Sequence, residues 1–174
     1  MIIDLDEGAK AGSRGAAVEV LTGLHACAMA LSPNGRWLVV ANAGSDTLSV
    51  LDTRTDRMVE TICARQNPAD LFGAQPDALA FDNSGRTLLA CNASQNAVAV
   101  FDFHPGQSKL RGLIPVGWFP GAVVTDPRRG ALYVANIKGI GSTRRLEPGE
   151  ARKFNSHQFL GSLSLVPLPK APEL

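Results

Sequence analysis

Histidines and cysteines are the residue types in this sequence that most readily do chemistry. His25, His104 and His157 belong to a residue type that can bind a metal ion or move a proton near neutral pH. They stand in three different contexts, two of them loops, and no spacing gathers them into a ligand set. We therefore predict loop or surface histidines, and no metal ion or other cofactor.

The cysteines are three in number, and none forms a Cys-x-x-Cys pair. Zinc sites and dithiol redox motifs need such close pairs, so the spacing supports neither. Free cysteine is among the most often buried residue types. We expect Cys27, Cys63 and Cys91 to be small buried side chains, with Cys27 and Cys91 inside strands.

Bulk composition excludes several classes of function. The 174 residues carry a net charge of +1, with 45% hydrophobic and 19% charged residues, which is ordinary for a globular protein. The basic residues are scattered among acids, so there is no electrostatic footprint for nucleic acid or an anionic membrane. No apolar run approaches a membrane span, and the first residues do not resemble an export signal.

Three near-copies of one pattern organise the chain. Each copy has an apolar segment, a polar turn with glycine, a second apolar segment and a closing Asn, at positions 42, 92 and 136. The spacings of 50 and 44 residues belong to repeat architectures, in which each unit buries its apolar face against its neighbours.

Each unit reads as four antiparallel strands. In the first copy the predicted strands are Ala26 to Leu31, Trp37 to Ala41, Thr47 to Leu51 and Met58 to Cys63. Thr47 to Asp52 alternates with a period of two, and Pro33-Asn34-Gly35 has the residues of a tight turn. Asn42, Asn92, Asn136, Asp52 and Asp102 end strands, where we expect their side chains to bond backbone amides of the following turns.

The ends of the chain extend the pattern. Ile2-Ile3-Asp4 and Val18 to Leu21 match the third and fourth strands of a preceding unit, and 137–158 interrupts the last unit as a long loop. The predicted domains are 1–24, the end of a preceding blade; 25–72 and 73–117, one blade each; and 118–174, a blade with the inserted loop 137–158 and a C-terminal tail. The strand count is thirteen.

Four-stranded units stacked radially are the blades of a β-propeller, which closes with four to eight of them. We therefore predict an all-β fold, a partial β-propeller of about three to four four-stranded antiparallel blades. Such an arc would leave apolar faces and strand edges in water, which proteins normally avoid. We expect a fragment of a larger protein, or a ring that a second copy completes.

The channel mouth is the predicted ligand site. The residues just before the innermost strands point toward it, and by alignment these are His25, Gln75 and Phe119, with Trp118 adjacent. An aromatic pair with a His and an amide could form a small binding patch. The alternative is that all four pack the rim. Asp77 is the single carboxylate near the channel, too few to hold a divalent cation, so we predict no catalytic residue.

The repeat resembles a known family. Leu38-Val39-Val40-Ala41-Asn42, Leu132-Tyr133-Val134-Ala135-Asn136 and Leu48-Ser49-Val50-Leu51-Asp52 resemble the YVTN-type β-propeller repeat over about residues 17–169. The segments 116–122, 135–142 and 161–169 are similar to the last blades of bacterial YVTN propellers that precede a phosphoesterase of the alkaline phosphatase superfamily. The resemblance implies a periplasmic or extracellular location and a phosphoesterase domain beyond Leu174.

Two classes of function remain open from the sequence. The first is a non-catalytic propeller module that binds a ligand or positions a partner, as part of a larger exported protein. The second is part of a propeller-containing hydrolase, phosphoesterase or lactonase-like, whose catalytic residues lie outside this chain. The expected partners are a downstream phosphoesterase domain or a second copy of the chain.

Overall fold

The architecture is entirely β, as the sequence predicts. A computed structural model describes residues 19–141 and 158–168, in which the regular elements are strands and short 3-10 segments, among them Ala93–Gln95. The strands are β1 Ala26–Leu31, β2 Trp37–Asn42, β3 Thr47–Asp52, β4 Arg57–Cys63, β5 Pro76–Phe81, β6 Thr87–Asn92, β7 Ala97–Asp102, β8 Lys109–Pro115, β9 Trp118–Asp126, β10 Ala131–Gly139 and β11 Ser162–Pro167. None of the described helical turns is long and apolar enough to cross a bilayer.

The strands form three antiparallel sheets in chain order. Their orders are β1-β2-β3-β4, β5-β6-β7-β8 and, for the third sheet, β11-β10-β9. Sequential hairpins of this kind are the blades of a propeller, so the prediction of a partial β-propeller is confirmed. We call the sheets the first, second and third blade.

Turn residues explain the first hairpin of each blade. Between β1 and β2, Asn34 Oδ1 accepts hydrogen bonds from Ser32 Oγ at 2.7 Å and from the Arg36 amide at 3.0 Å. Gly35 takes a φ of 72°, which a glycine adopts at no steric cost, and Gly85 repeats this in the second blade at 68°. These turns lie on one rim of the arc, and the ends of β2, β6 and β10 lie on the opposite rim, the mouth.

Alternating side chains pack the blades against each other. Val39, Leu48 and Val50 form one buried cluster with second-blade residues, among them Leu88 and Phe101. The neighbouring positions of the second blade face the other way, and a second cluster joins the third blade, with Leu89, Val98, Val100, Val123, Leu132 and Val134. Full burial of each such side chain contributes roughly 1.5–3 kcal/mol, so contact between blades holds the arc together.

An outer contact adds to this packing. The carboxylate of Glu60 on β4 accepts hydrogen bonds from the amides of Gly106 and Ser108, at 3.0 and 2.7 Å, and from Ser108 Oγ at 2.8 Å. The outer strand of the first blade is thereby tied to the β7–β8 turn of the second.

The outward faces of the first and third blades expose apolar side chains. Met29 and Leu31 of β1 are 68% and 56% exposed, and Val124, Leu163 and Leu165 of the third blade are 58%, 59% and 61% exposed. In a propeller these are the faces that further blades cover.

Several sequence predictions at the ends need correction. Residues 19–22 form no strand, so the predicted strand Val18 to Leu21 is wrong over its described part, whereas Ile2 to Asp4 lies outside the described residues. The predicted loop 137–158 begins too early. β10 continues to Gly139, which pairs with Trp118 of β9 after a bulge, and residues 142–157 lie outside the described chain.

Candidate functional site at the mouth

Each inner strand starts at a residue with an unusual backbone conformation. His25, Gln75 and Phe119 have φ values of 53°, 51° and 56°, in the left-handed region that residues with a Cβ rarely adopt. The three positions are equivalent in the three blades. Such conformations persist where surrounding contacts hold them, and they are common at ligand sites.

Two of the predicted ligand-binding residues meet in one cavity. His25 of the first blade and Gln75 of the second line a space of about 300 Å³ at the mouth, together with Asp46, Phe72 and Gly73. The His25 ring lies against Gly44, where a Cβ would come within 2.7 Å of Nδ1. The close approach of ring and backbone at Gly44 positions the imidazole beside the cavity.

Asp46 holds the two blades together at this cavity. Its Oδ1 accepts a hydrogen bond from the Gln75 amide at 2.8 Å, and its Oδ2 accepts one from the Gly73 amide at 2.7 Å. Burial by itself would raise the pKa of Asp46, but these amides and the nearby Arg65 charge lower it below the ordinary value. The carboxylate is therefore a charged latch that fixes Gln75 in its left-handed conformation.

Arg65 organises the rest of the loop between the first two blades. Its Nε lies 4.0 Å from Asp46 Oδ2, its Nη1 donates to the backbone oxygen of Asp70, and its guanidinium stacks over the Phe72 ring at 4.7 Å. Phe72 is thereby placed on the cavity wall while remaining 72% exposed.

The Gln75 side chain presents a hydrogen-bond donor. Its Oε1 accepts a hydrogen bond from Ser94 Oγ at 2.6 Å, whereas Nε2 has no acceptor within the described residues. An amide held by its oxygen keeps its N–H groups available to donate. The cavity thus combines an imidazole with a neutral hydrogen-bond donor.

Trp118 and Phe119 lie apart from this cavity. Trp118 packs against Gly141, where a Cβ would lie 3.2 Å from the indole ring, and it is 50% exposed. Phe119 stacks under Lys138 Nζ at 4.5 Å, and its amide donates to Asn96 Oδ1 at 2.9 Å. The structure therefore joins His25 with Gln75 and leaves the aromatic pair at the next blade junction.

Asp77 carries a half-buried carboxyl group on the inner strand of the second blade. It lies at a bulge of β5, and its Oδ1 is buried with no hydrogen-bond partner among the described residues. Burial raises the pKa of Asp77 to about 6. Burial, followed by the Asp77 charge, raises the pKa of the Cys91 thiol to about 12.

The expectation of three buried cysteines holds for Cys91 alone. Cys63 is half-buried and Cys27 is exposed, and none of the three is in a disulfide. The Cys27 Sγ atom still lies within hydrogen-bond distance of two acceptors for its one proton, the backbone oxygens of Pro76 at 3.4 Å and Ala41 at 3.7 Å, because Cys27 lies at the bulge of β1.

The strand-ending asparagines are structural, but by another route than predicted. Asn42 and Asn136 donate from Nδ2 to serine hydroxyls, Ser49 Oγ at 3.0 Å and Ser164 Oγ at 2.9 Å, rather than accepting from turn amides. Asn92 Nδ2 donates to the backbone oxygen of Ala64 at 2.7 Å. Of the strand-ending aspartates, Asp52 does accept a turn amide, that of Arg54 at 2.9 Å.

The described residues show no group of three His, Cys, Asp or Glu side chains that could hold a metal ion. His104 lies exposed on the rim opposite the mouth, and His157 is outside the described chain.

Sequence reasoning missed Asp46, Arg65 and Phe72. A signal for the first was available, since Asp46 follows Asn42 by four residues, as Asn96 follows Asn92. Both residues adopt the left-handed conformation, with φ of 53°, and both accept the amide of the equivalent residue in the next blade.

Comparison with known proteins agrees with the fold and adds a family. The family described as "Lactonase, 7-bladed beta-propeller" matches residues 11–116. No curated protein matches the sequence.

Three similar solved structures are longer than this chain. Hydrazine synthase of Kuenenia stuttgartiensis is 28% identical, with a TM-score of 0.56 over 68% of this chain and 31% of that one. A Lactobacillus plantarum protein is 24% identical, with a TM-score of 0.59 over 69% and 37%. A putative 6-phosphogluconolactonase of Bacteroides uniformis is 20% identical, with a TM-score of 0.60 over 88% and 44%. The last two show the fold alone, and the chain spans less than half of each structure.

Proposed function

Because this chain belongs to the seven-bladed β-propeller lactonase family, we propose that it supplies blades and a ligand cavity to a hydrolase that opens lactones. The observation that carries the proposal is the meeting of His25 and Gln75, from neighbouring blades, in one cavity of about 300 Å³. A cavity of this size suits a small ring.

The chemistry of lactone opening assigns a role to each side chain. Water adds to the carbonyl carbon, the ring C–O bond breaks, and the ring oxygen takes up a proton, which leaves a hydroxy acid. The His25 imidazole accepts the proton of the attacking water and returns it to the ring oxygen. Gln75 Nε2 donates to the carbonyl oxygen as negative charge develops there. Asp46 acts through Gln75, as a positioning residue.

Hydrolysis of glucono-δ-lactone by the full chain, corrected for the spontaneous reaction, tests this proposal. We expect His25→Gln to lower kcat/KM by about 100-fold and Gln75→Ala by about 10- to 100-fold. His104→Gln, on the opposite rim, is the matched control and should keep the activity. Absence of hydrolysis, or full activity in His25→Gln, would overturn the assignment.

A non-catalytic binding module is the second candidate, and a specific observation favours it. The mouth exposes several large apolar side chains, which is typical of a surface that binds a partner. They are Leu24, Leu71, Phe72, Trp118, Ile140 and Leu160. This candidate predicts ligand binding at the mouth without turnover, and it keeps Trp118 and Phe119 as binding residues.

Location and partners complete the proposal. The repeat resemblance supports export to the periplasm or beyond and a phosphoesterase domain after Leu174, and the exposed blade faces support either further blades or a second copy. Light scattering on the full chain distinguishes a second copy from further blades, because a second copy doubles the mass. Cell fractionation tests export, and the reading frame after codon 174 tests the phosphoesterase domain.

A further inference from the structure

A second cavity lies on the rim opposite the mouth, between the same two blades. It has a volume of about 450 Å³, and its walls are the β1–β2 turn, the β5–β6 turn and the segment after β7. The two turns touch, since a Cβ on Gly85 would lie 3.2 Å from Pro33 Cδ. The proposed lactone chemistry at the mouth does not use this space.

Arg86 is the one charged side chain among the described residues that line this cavity, and it has no ion-pair partner there. The equivalent residue of the first blade, Arg36, is paired with Asp52 at 3.2 Å. In the second blade the equivalent carboxylate, Asp102, lies 3.5 Å from Arg111 instead.

The strand register shows that Arg36 and Arg86 occupy equivalent positions. Trp37, which follows Arg36, pairs with Asp52, and Thr87, which follows Arg86, pairs with Asp102. The backbones of the two arginines therefore have the same position relative to the equivalent carboxylates, Asp52 and Asp102. Arg111 engages Asp102, and Arg86, which lines the cavity, has no ion-pair partner among the described residues, so its guanidinium donors are available.

The hydroxyl groups of Ser32 and Ser84 already donate, to Asn34 Oδ1 and Asp82 Oδ2, whereas the two asparagine side chains of the cavity keep amide donors. Asn34 uses its Oδ1 to accept hydrogen bonds from Ser32 Oγ and the Arg36 amide, so its Nδ2 is left to donate. The side chain of Asn83 has no hydrogen-bond partner within the described residues. A guanidinium with amide donors beside it suits an anion that also carries hydroxyl groups.

Apolar side chains form the remaining wall. Trp37 and Phe103 line the cavity with Pro33 and Pro105. Phe103 is only 3% exposed and is fixed edge-on against Phe81, with the ring centroids 4.9 Å apart. Arg36 covers one side of Trp37 at 4.6 Å, which holds the indole in place. This wall accepts the CH groups of a ligand, whereas the donors face its polar atoms.

We propose that this cavity binds a small hydroxycarboxylate, with the carboxylate on the Arg86 guanidinium and the hydroxyl groups on the asparagine amides. The fork of a guanidinium matches the two oxygens of a carboxylate, which an ammonium group does not. The site is separate from the mouth, and its existence does not depend on hydrolysis there.

Fluorescence of Trp37 provides the test. The chain has two tryptophans, so Trp118→Phe leaves Trp37 as the sole reporter. In that background, titration with gluconate should give saturable binding with a Kd of about 1 mM or lower. Sorbitol, which replaces the carboxylate by a hydroxymethyl group, should bind at least about 10-fold more weakly, since the charge-assisted hydrogen bonds are lost.

Variants locate the site. Arg86→Gln should raise the Kd for gluconate at least about 10-fold, and Arg86→Lys should give an intermediate value because the charge is kept and the fork is lost. Arg57→Gln removes an exposed positive charge elsewhere on the first blade and should leave the Kd unchanged.

Three results would overturn the proposal. They are no saturable change with gluconate, equal binding of gluconate and sorbitol, and equal losses in Arg86→Gln and Arg57→Gln. Binding of inorganic phosphate in place of gluconate would overturn the ligand class. Because none of these readouts involves lactone hydrolysis, they remain informative if the mouth proves inactive.

Discussion

The first and second blades share strand order and register, yet their equivalent polar side chains have different partners. Arg36 is paired with Asp52, whereas Arg111 engages Asp102 and Arg86 has no ion-pair partner in the described part of the chain. The repeated backbone fixes the positions of these residues, but their side chains have different partners in each blade. Single positions outside the packed core can therefore acquire function without disturbing the architecture.

Asp46 and Asn96, whose side chains join neighbouring blades and which we call the latches, differ in the same way. Asp46 accepts two backbone amides of the next blade and lies 4.0 Å from Arg65, whereas Asn96 accepts one amide, that of Phe119. The junction of the first two blades is thus tied by a charge, and the following junction by a neutral amide. The charged junction is the one that contains the His25 cavity.

The largest expected effect concerns these latches. Asp46→Ala should lower the free energy of unfolding by about 2–3 kcal/mol and Asn96→Ala by about 1 kcal/mol, since hydrogen bonds to a charged acceptor are the stronger. Both variants place Ala at a positive φ, so that strain is common to the pair and the difference reports the latches. Denaturant unfolding of the full chain measures both, and equal losses would contradict the comparison.

The pH dependence of the Asp46 latch has a definite sign. Because the pKa of Asp46 is lowered in the folded chain, its contribution is complete above the ordinary value of 3.8 and is lost as the pH falls through the folded pKa. The difference between the native chain and Asp46→Ala should therefore shrink in acid.

A smaller effect on stability is expected at the bulges of the inner strands, where the first two blades carry different residues. Asp77 and Cys27 occupy equivalent bulges, and the pKa of Asp77 is raised to about 6 by burial. A raised pKa means that stability is greatest below the ordinary value of 3.8 and falls until about pH 6. Since the carboxyl is partly exposed and screened, we expect Asp77→Asn to stabilise the chain by about 1 kcal/mol at pH 7 and by little at pH 3.

Thermal unfolding at the two pH values measures this effect. Asp70→Asn, in the exposed loop between the first two blades, serves as the matched control and should change neither value. A stability gain from Asp77→Asn that is the same at pH 3 and pH 7 would show that the charge of Asp77 is not its cause.

The smallest effect sharpens the comparison of the arginines. Arg111→Gln should release Asp102 to pair with Arg86, as Asp52 pairs with Arg36, and should raise the Kd for gluconate about 3-fold, the size of an exposed ion pair. Adding Asp102→Asn to that variant should restore the binding, again read by Trp37 fluorescence. If the double variant binds gluconate as weakly as Arg111→Gln does, pairing of Asp102 with Arg86 is not the cause of the weaker binding.

The repeat determined a large part of the fold in advance. Period-two apolar segments and glycine turns predict the strands of the first two blades almost to the residue, because both signals are local. His25 and Gln75 could be placed at the mouth for the same reason, since each immediately precedes an inner strand. Residues 19–21 show the limit, because an apolar pattern marks a candidate strand and does not contain the pairing that forms one.

The sequence by itself thus determined the features that depend on neighbouring residues in the chain. These are the strands, their turns and the equivalence of residues across blades. The tertiary structure decided which equivalent residues meet. Asp46 reaches the amides of Gly73 and Gln75 more than 25 residues away, and Arg111 rather than Arg86 engages Asp102. Side-chain contacts across blades depend on distances in space, which a periodic pattern along the chain does not contain.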